Sequence, residues 1–233
     1  GTQGNSDGQF QYPRGIALDA SQNVWVVDSN NHRIQQFTPD GIFIKKFGTL
    51  GTGDGQELKN PYGIAIDKNG YIYITDTNNH RIKKFDSNGN LLTKWGKKGT
   101  TAEGDFNFPT GIATDNEGNV YVADTYNNRI QKFDSNGKFI KMWGTYGTGD
   151  TQFNRPFAIA IDQNNTIYIA DSYNNRVVVY DADGNFLKKW GSYGNATGQF
   201  KYPEGISCDL RGFIFVTEYN NYRVQIFDSS GNY

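Results

Sequence analysis

Cysteine is nearly absent. Cys208 stands alone in 233 residues, which excludes an internal disulfide framework and a cysteine-built zinc site. Its place in an apolar segment marks it as a small buried hydrophobe and not a reactive thiol. Histidine is almost as scarce: His32 and His80 are the only two, whereas a catalytic zinc site takes three protein ligands and keeps a fourth position open. No apolar run approaches the length of a membrane span, and no secretory leader is visible. Neither sign of charge dominates, with 23 basic and 24 acidic residues and a net charge of -1. A nucleic-acid module would be expected to be basic. The Gly-x-Ser-x-Gly elbow of hydrolases and the phosphate-cradling glycine loop before a helix are both missing.

What the chain has instead is internal repetition. A proline opens each of five units at Pro13, Pro61, Pro109, Pro156 and Pro203, spaced 48, 48, 47 and 47 residues apart. Four short strand signals fall within one unit, for example Gly63 to Asp67, Tyr71 to Thr75, Arg81 to Phe85 and Leu91 to Trp95. Strands without intervening helices, at this period, predict an all-β propeller of four-stranded antiparallel blades. Runs such as Ile72-Tyr73-Ile74 and Val120-Tyr121-Val122-Ala123 are apolar nearly throughout, as required when both faces of a sheet are covered. Short turns around Asn69-Gly70, Asn88-Gly89 and Asp183-Gly184 read as plain hairpin punctuation. The longer connections, such as Gly48 to Asn60 and Gly144 to Arg155, lie on the opposite side, together with the turns between second and third strands.

Each unit repeats an acid and, five residues on, an arginine: Asp28 and Arg33, Asp76 and Arg81, Asp124 and Arg129, Asp171 and Arg176, Glu218 and Arg223. A group present in every blade serves what every blade needs, so these ten residues read as a structural network, not as catalytic acids and anion clamps. The Asn-Asn pairs between them fit turns, because Asn tolerates the left-handed conformation. Asp86 to Gly89, Asp134 to Gly137 and Asp181 to Gly184 look like the start of a calcium loop but lack its bidentate Glu at the twelfth position, and they fall where hairpin turns are needed. No metal and no cofactor is expected.

The recurring Pro-x-Gly-Ile-Ala-x-Asp, then Tyr-x-x-Asp-Thr-x-Asn-His-Arg-Ile-x-x-Phe, then Lys-Trp-Gly resembles the NHL repeat over essentially the whole chain. The resemblance implies one β-propeller domain over residues 1–233 with five repeats visible, the last lacking its outer strand. Such propellers mostly have six blades, and the chain lacks an initiator Met, so a longer parent is expected, or else a five-bladed ring with one three-stranded blade. An unclosed blade would invite self-association. The family also implies three kinds of function: a protein-, peptide- or glycan-binding module, an RNA-binding module, and a metal-dependent lyase or lactonase. It favours an extracellular or cell-surface setting.

Function should sit where the copies disagree on one face. Arg14, Tyr62, Thr110, Phe157 and Glu204, each just after its proline, form one variable set; Tyr126, Tyr173, Tyr219 and Tyr222 in the turns and Tyr146 and Tyr193 in the long loops form another. Tyrosine offers rigid contact area with a polar tip. Glu204 as a lactonase-type ligand is disfavoured, because its repeat equivalents could not complete such a site. The lysine pairs 45–46, 83–84, 97–98 and 188–189 read as solvated rims, which speaks against RNA. The leading reading is a non-catalytic binding module using the long-loop face.

Overall fold

The computed structural model describes residues 1–233. The fold is a β-propeller architecture of antiparallel blade sheets, four with four strands and the last with three. Blade 1 holds Pro13–Leu18, Val24–Asp28, Arg33–Phe37 and Phe43–Phe47, and blade 2 holds Ile64–Ile66, Ile72–Asp76, Arg81–Phe85 and Leu91–Trp95. Blade 3 holds Pro109–Thr114, Val120–Asp124, Arg129–Phe133 and Phe139–Trp143. Blade 4 holds Pro156–Ile161, Ile167–Asp171, Arg176–Tyr180 and Phe186–Trp190, and blade 5 holds Pro203–Cys208, Ile214–Glu218 and Arg223–Phe227. No helix is long and apolar enough to cross a membrane.

Two compact units divide the chain, residues 1–112 with 135–138, and residues 113–134 with 139–233. In the first, the core forms where the apolar faces of blades 1 and 2 meet: Trp25, Val27 and Ile34 pack with Leu58, Ile64, Ile72 and Ile74. In the second, Tyr168, Val177 and Val179 of blade 4 pack with Phe200, Ile214, Val216 and Phe227. Burial on both faces explains why the second strands are β-branched and aromatic without alternation.

Three details depart from the sequence reading. Gly70 has open space around it, as plain hairpin punctuation should, but three other turn glycines do more: a Cβ on Gly89 would come within 2.8 Å of Phe47, one on Gly137 within 2.5 Å of Trp95, and one on Gly231 within 2.8 Å of Trp190. Each therefore lets a turn press against the outer strand of the preceding blade. The left-handed residue of each Asp-to-Arg turn is the one before the arginine, with φ between 53° and 56°; it belongs to the Asn pair only in blades 3 and 4, as Asn128 and Asn175, and is His32, His80 or Tyr222 in the others. Lys83 is not a rim lysine. It is fully buried, and its ammonium donates to the carbonyls of Gly53, Gly55 and Glu57 at 2.8 to 3.1 Å.

Candidate binding site on the long-loop side

The acid and arginine of each repeat face each other as the last cross-strand pair of the second and third strands. In every blade the arginine Nε donates to the carboxylate at 2.6 to 2.7 Å. The rest of the guanidinium reaches into the preceding long loop: Arg33 to the carbonyls of Asn5, Ser6 and Gln9, and Arg176 to those of Thr148, Gly149 and Gln152. The Asn before the left-handed residue adds a second tie, as when Asn174 Nδ2 donates to Asp171 and to the Gly147 carbonyl. These atoms are saturated by the scaffold, which leaves them little capacity for a ligand.

The histidines are engaged in the same way. His32 Nδ1 accepts the N–H of Asn60, and His80 Nδ1 accepts that of Phe108, both at 3.1 Å. Asn128 and Asn175 do the same job through Oδ1 for Arg155 and Tyr202. Partial burial holds both imidazoles below their usual range, opposed for His32 by Asp28 and Asp76. No three His, Cys, Asp or Glu side chains gather into a group that could hold a metal. The calcium-like stretches form side-chain turns: Asp86 Oδ1 accepts the N–H groups of Asn88 and Asn90.

The residues so fixed, Asn60, Phe108, Arg155 and Tyr202, stand immediately before a proline, and together with Tyr12 they have φ between 45° and 53°. A non-glycine residue in the left-handed region, in front of a proline, is a costly conformation that surrounding bonds must impose. Its effect is to project five variable side chains from the long-loop side.

One such residue builds the most distinctive site. The Arg155 guanidinium lies over the rings of Tyr126 and Tyr173, 4.6 and 4.5 Å from their centroids, and its NH1 donates to the Tyr173 hydroxyl at 2.8 Å. Tyr202 meets Tyr173 edge-on at 5.1 Å. Tyr126, Asn128, Tyr146, Asn154, Arg155 and Tyr173 line a groove of about 410 Å³, with the three tyrosines 47%, 71% and 42% exposed in order of number.

Among the residues singled out from sequence, Tyr126, Tyr146 and Tyr173 are thus brought together, all in the second unit. Arg14 stacks over Tyr62 at 5.1 Å in the first unit. Phe157 and Glu204 are half-buried at the starts of their strands. Tyr219 and Tyr222 are highly exposed in the blade 5 turn and lie outside the groove lining. Arg155 and Tyr202 escaped the sequence reading, although the variability of the pre-proline position, Tyr12, Asn60, Phe108, Arg155 and Tyr202, was signal enough.

The NHL repeat family model matches residues 10–37, 58–85, 106–133 and 153–180. Over 55 residues the chain is 46% identical to the protein brain tumor of Drosophila melanogaster, a match covering 24% of this chain and 5% of that protein. Among solved structures, virginiamycin B lyase from Staphylococcus aureus superposes with a TM-score of 0.69 at 20% identity, covering 94% of this chain and 68% of that one. A gluconolactonase from Xanthomonas campestris superposes with a TM-score of 0.72 at 14% identity, covering 97% and 75%. At these identities the structural likeness shows the fold alone.

Proposed function

Because the chain belongs to the NHL-repeat β-propeller family, whose scaffold residues are accounted for blade by blade, we propose that it is a non-catalytic interaction module. Its long-loop face, centred on Tyr126, Arg155 and Tyr173, recognises a protein, peptide or glycan. The supporting observation is the groove itself, in which exposed tyrosines and a guanidinium converge where the repeats disagree. Rigid amphipathic rings around a cation are what recognition surfaces use. The lyase and lactonase among the structural neighbours share the blade architecture, but the five repeat acids are paired with arginines and the two histidines accept loop N–H groups. The test is a display selection with a random peptide library, run beside a glycan array, on the wild-type chain and on a Tyr126→Ser, Tyr173→Ser variant. Binders should enrich on the wild type and be lost on the variant. Enrichment indifferent to both substitutions, or turnover of a lactone by the purified chain, would refute the reading.

A further inference from the structure

The Tyr126, Arg155, Tyr173 cluster has a counterpart in the first unit. The same three repeat positions are occupied there by Asn30, Asn60 and Asn78. These close on themselves as neutral amides: Asn78 Nδ2 donates to Asn60 Oδ1 at 3.0 Å, and Asn60 Nδ2 donates to Asn30 Oδ1 at 3.1 Å. The fold is thus satisfied by three asparagines at these positions. Replacing them with Tyr, Arg and Tyr adds a positive charge that the scaffold does not require.

That charge has no acid beside it. Six of the eight arginines pair with a carboxylate, namely Arg33, Arg81, Arg129, Arg176, Arg211 and Arg223. Arg155 has only the Tyr173 hydroxyl and the two ring faces. Of the five N–H donors of a guanidinium, one is used by Tyr173, and the side chain lines the groove. Tyr173, whose oxygen accepts from Arg155, still has its own O–H to donate. Because the guanidinium already lies over the rings of Tyr126 and Tyr173, stacking in the groove is left to Tyr146 alone. What remains is a set of donors suited to a planar oxyanion.

We infer that the groove binds a carboxylate presented by a peptide, an Asp or Glu side chain flanked by an apolar residue that lies against Tyr146. This rests on the binding-module reading above and deepens it. A single uncompensated cation among tyrosines fits one anionic group, whereas a nucleic acid draws its affinity from many phosphate contacts, and the chain as a whole carries a net charge of -1.

The experiment is an NMR titration of the ¹⁵N-labelled chain, following the Arg155 Nε–H resonance and the backbone amides around the groove. The probes are the blocked dipeptide Ac-Glu-Phe-NH2, its neutral counterpart Ac-Gln-Phe-NH2, and sodium glucuronate. The Glu peptide should shift the Arg155 resonance and bind roughly tenfold more tightly than the Gln peptide, the advantage of a charge-assisted over a neutral hydrogen bond. Arg155→Asn, which installs the residue the scaffold already holds at position 60, should keep the backbone spectrum of a folded chain and abolish the preference. Equal binding of the Glu and Gln peptides would overturn the carboxylate assignment while leaving the groove a binding site. Stronger binding of glucuronate would overturn the peptide assignment. If none of the three probes moves the groove resonances, the carboxylate site is refuted and the binding module loses its supporting observation.

Discussion

Removing the guanidinium of Arg176 should be among the most damaging single changes in the chain. Its Nε donates to the fully buried Asp171, and its NH1 and NH2 donate to three carbonyls of the long loop, all at 2.7 to 2.8 Å. In Arg176→Ala, Asp171 keeps only the backbone N–H of Asn154 and the amide of Asn174, so a buried carboxylate loses its counter-charge. Breaking a buried pair from one side costs about 3 to 5 kcal/mol. Burial already pushes the Asp171 carboxyl upward, against the bonds from Asn154, Asn174 and Arg176. Without the arginine it moves further up. A carboxyl whose folded pKa lies above its unfolded value favours the folded state less as pH rises between the two. The deficit of the variant should therefore be largest at neutral pH and shrink as the solution is acidified towards the ordinary carboxylate range. Urea unfolding followed by the fluorescence of Trp143 and Trp190, in the same unit, measures it at each pH. Arg176→Lys, which keeps a charge but not the fork into the loop, should fall between the two. A loss below about 1 kcal/mol at neutral pH, the level of an exposed ion pair, or a deficit that does not change with pH, would refute the reasoning.

Other changes follow from the same geometry. The neutral imidazoles of His32 and His80 accept backbone N–H bonds and are held below their usual range; their contribution is complete above about pH 6.5 and fades as pH falls below it. His32→Asn with His80→Asn should flatten that slope in urea midpoints measured from pH 7 to 5, since Asn128 and Asn175 fill the role without titrating. Lys83→Gln should be tolerated, because Gln35, Gln131 and Gln225 occupy the equivalent place, whereas Lys83→Met strands three loop carbonyls and should cost about 1 to 3 kcal/mol in the same assay. The buried indole N–H groups of Trp143 and Trp190 have no hydrogen-bond partner, and Phe47 fills the matching place in blade 1. Trp143→Phe should therefore shift the thermal midpoint less than a typical aromatic truncation, because the smaller ring leaves no donor behind.

Periodicity carried most of the fold. Five prolines, the apolar second strands and the acid-to-arginine spacing were legible because each is imposed afresh in every blade. What periodicity hid was depth. Lys83 sits in a Lys-Lys pair that reads as solvated, and only its equivalents Gln35, Gln131, Val178 and Gln225 point to an inward position. The close approach of Gly137 to Trp95 is a relation between blades, which a reading confined to one repeat does not reach. The pre-proline position of Arg155 looks in sequence like the end of a loop; the backbone conformation forced on it, φ 53°, is what aims the side chain at the tyrosines. The groove was therefore half visible, as tyrosines without their cation.

The three asparagines of the first unit and the Tyr, Arg, Tyr set of the second occupy equivalent positions of the repeat. The side chains of each set bond to one another, while the backbone N–H of the pre-proline residue is held by His32 in one unit and Asn128 in the other, so the surface differs while the framework beneath it is the same. On the proposed reading, a chain built this way would gain a ligand by three substitutions, without first securing a new fold. Transplanting Tyr, Arg and Tyr onto positions 30, 60 and 78 would show whether specificity in this scaffold is as portable as its architecture.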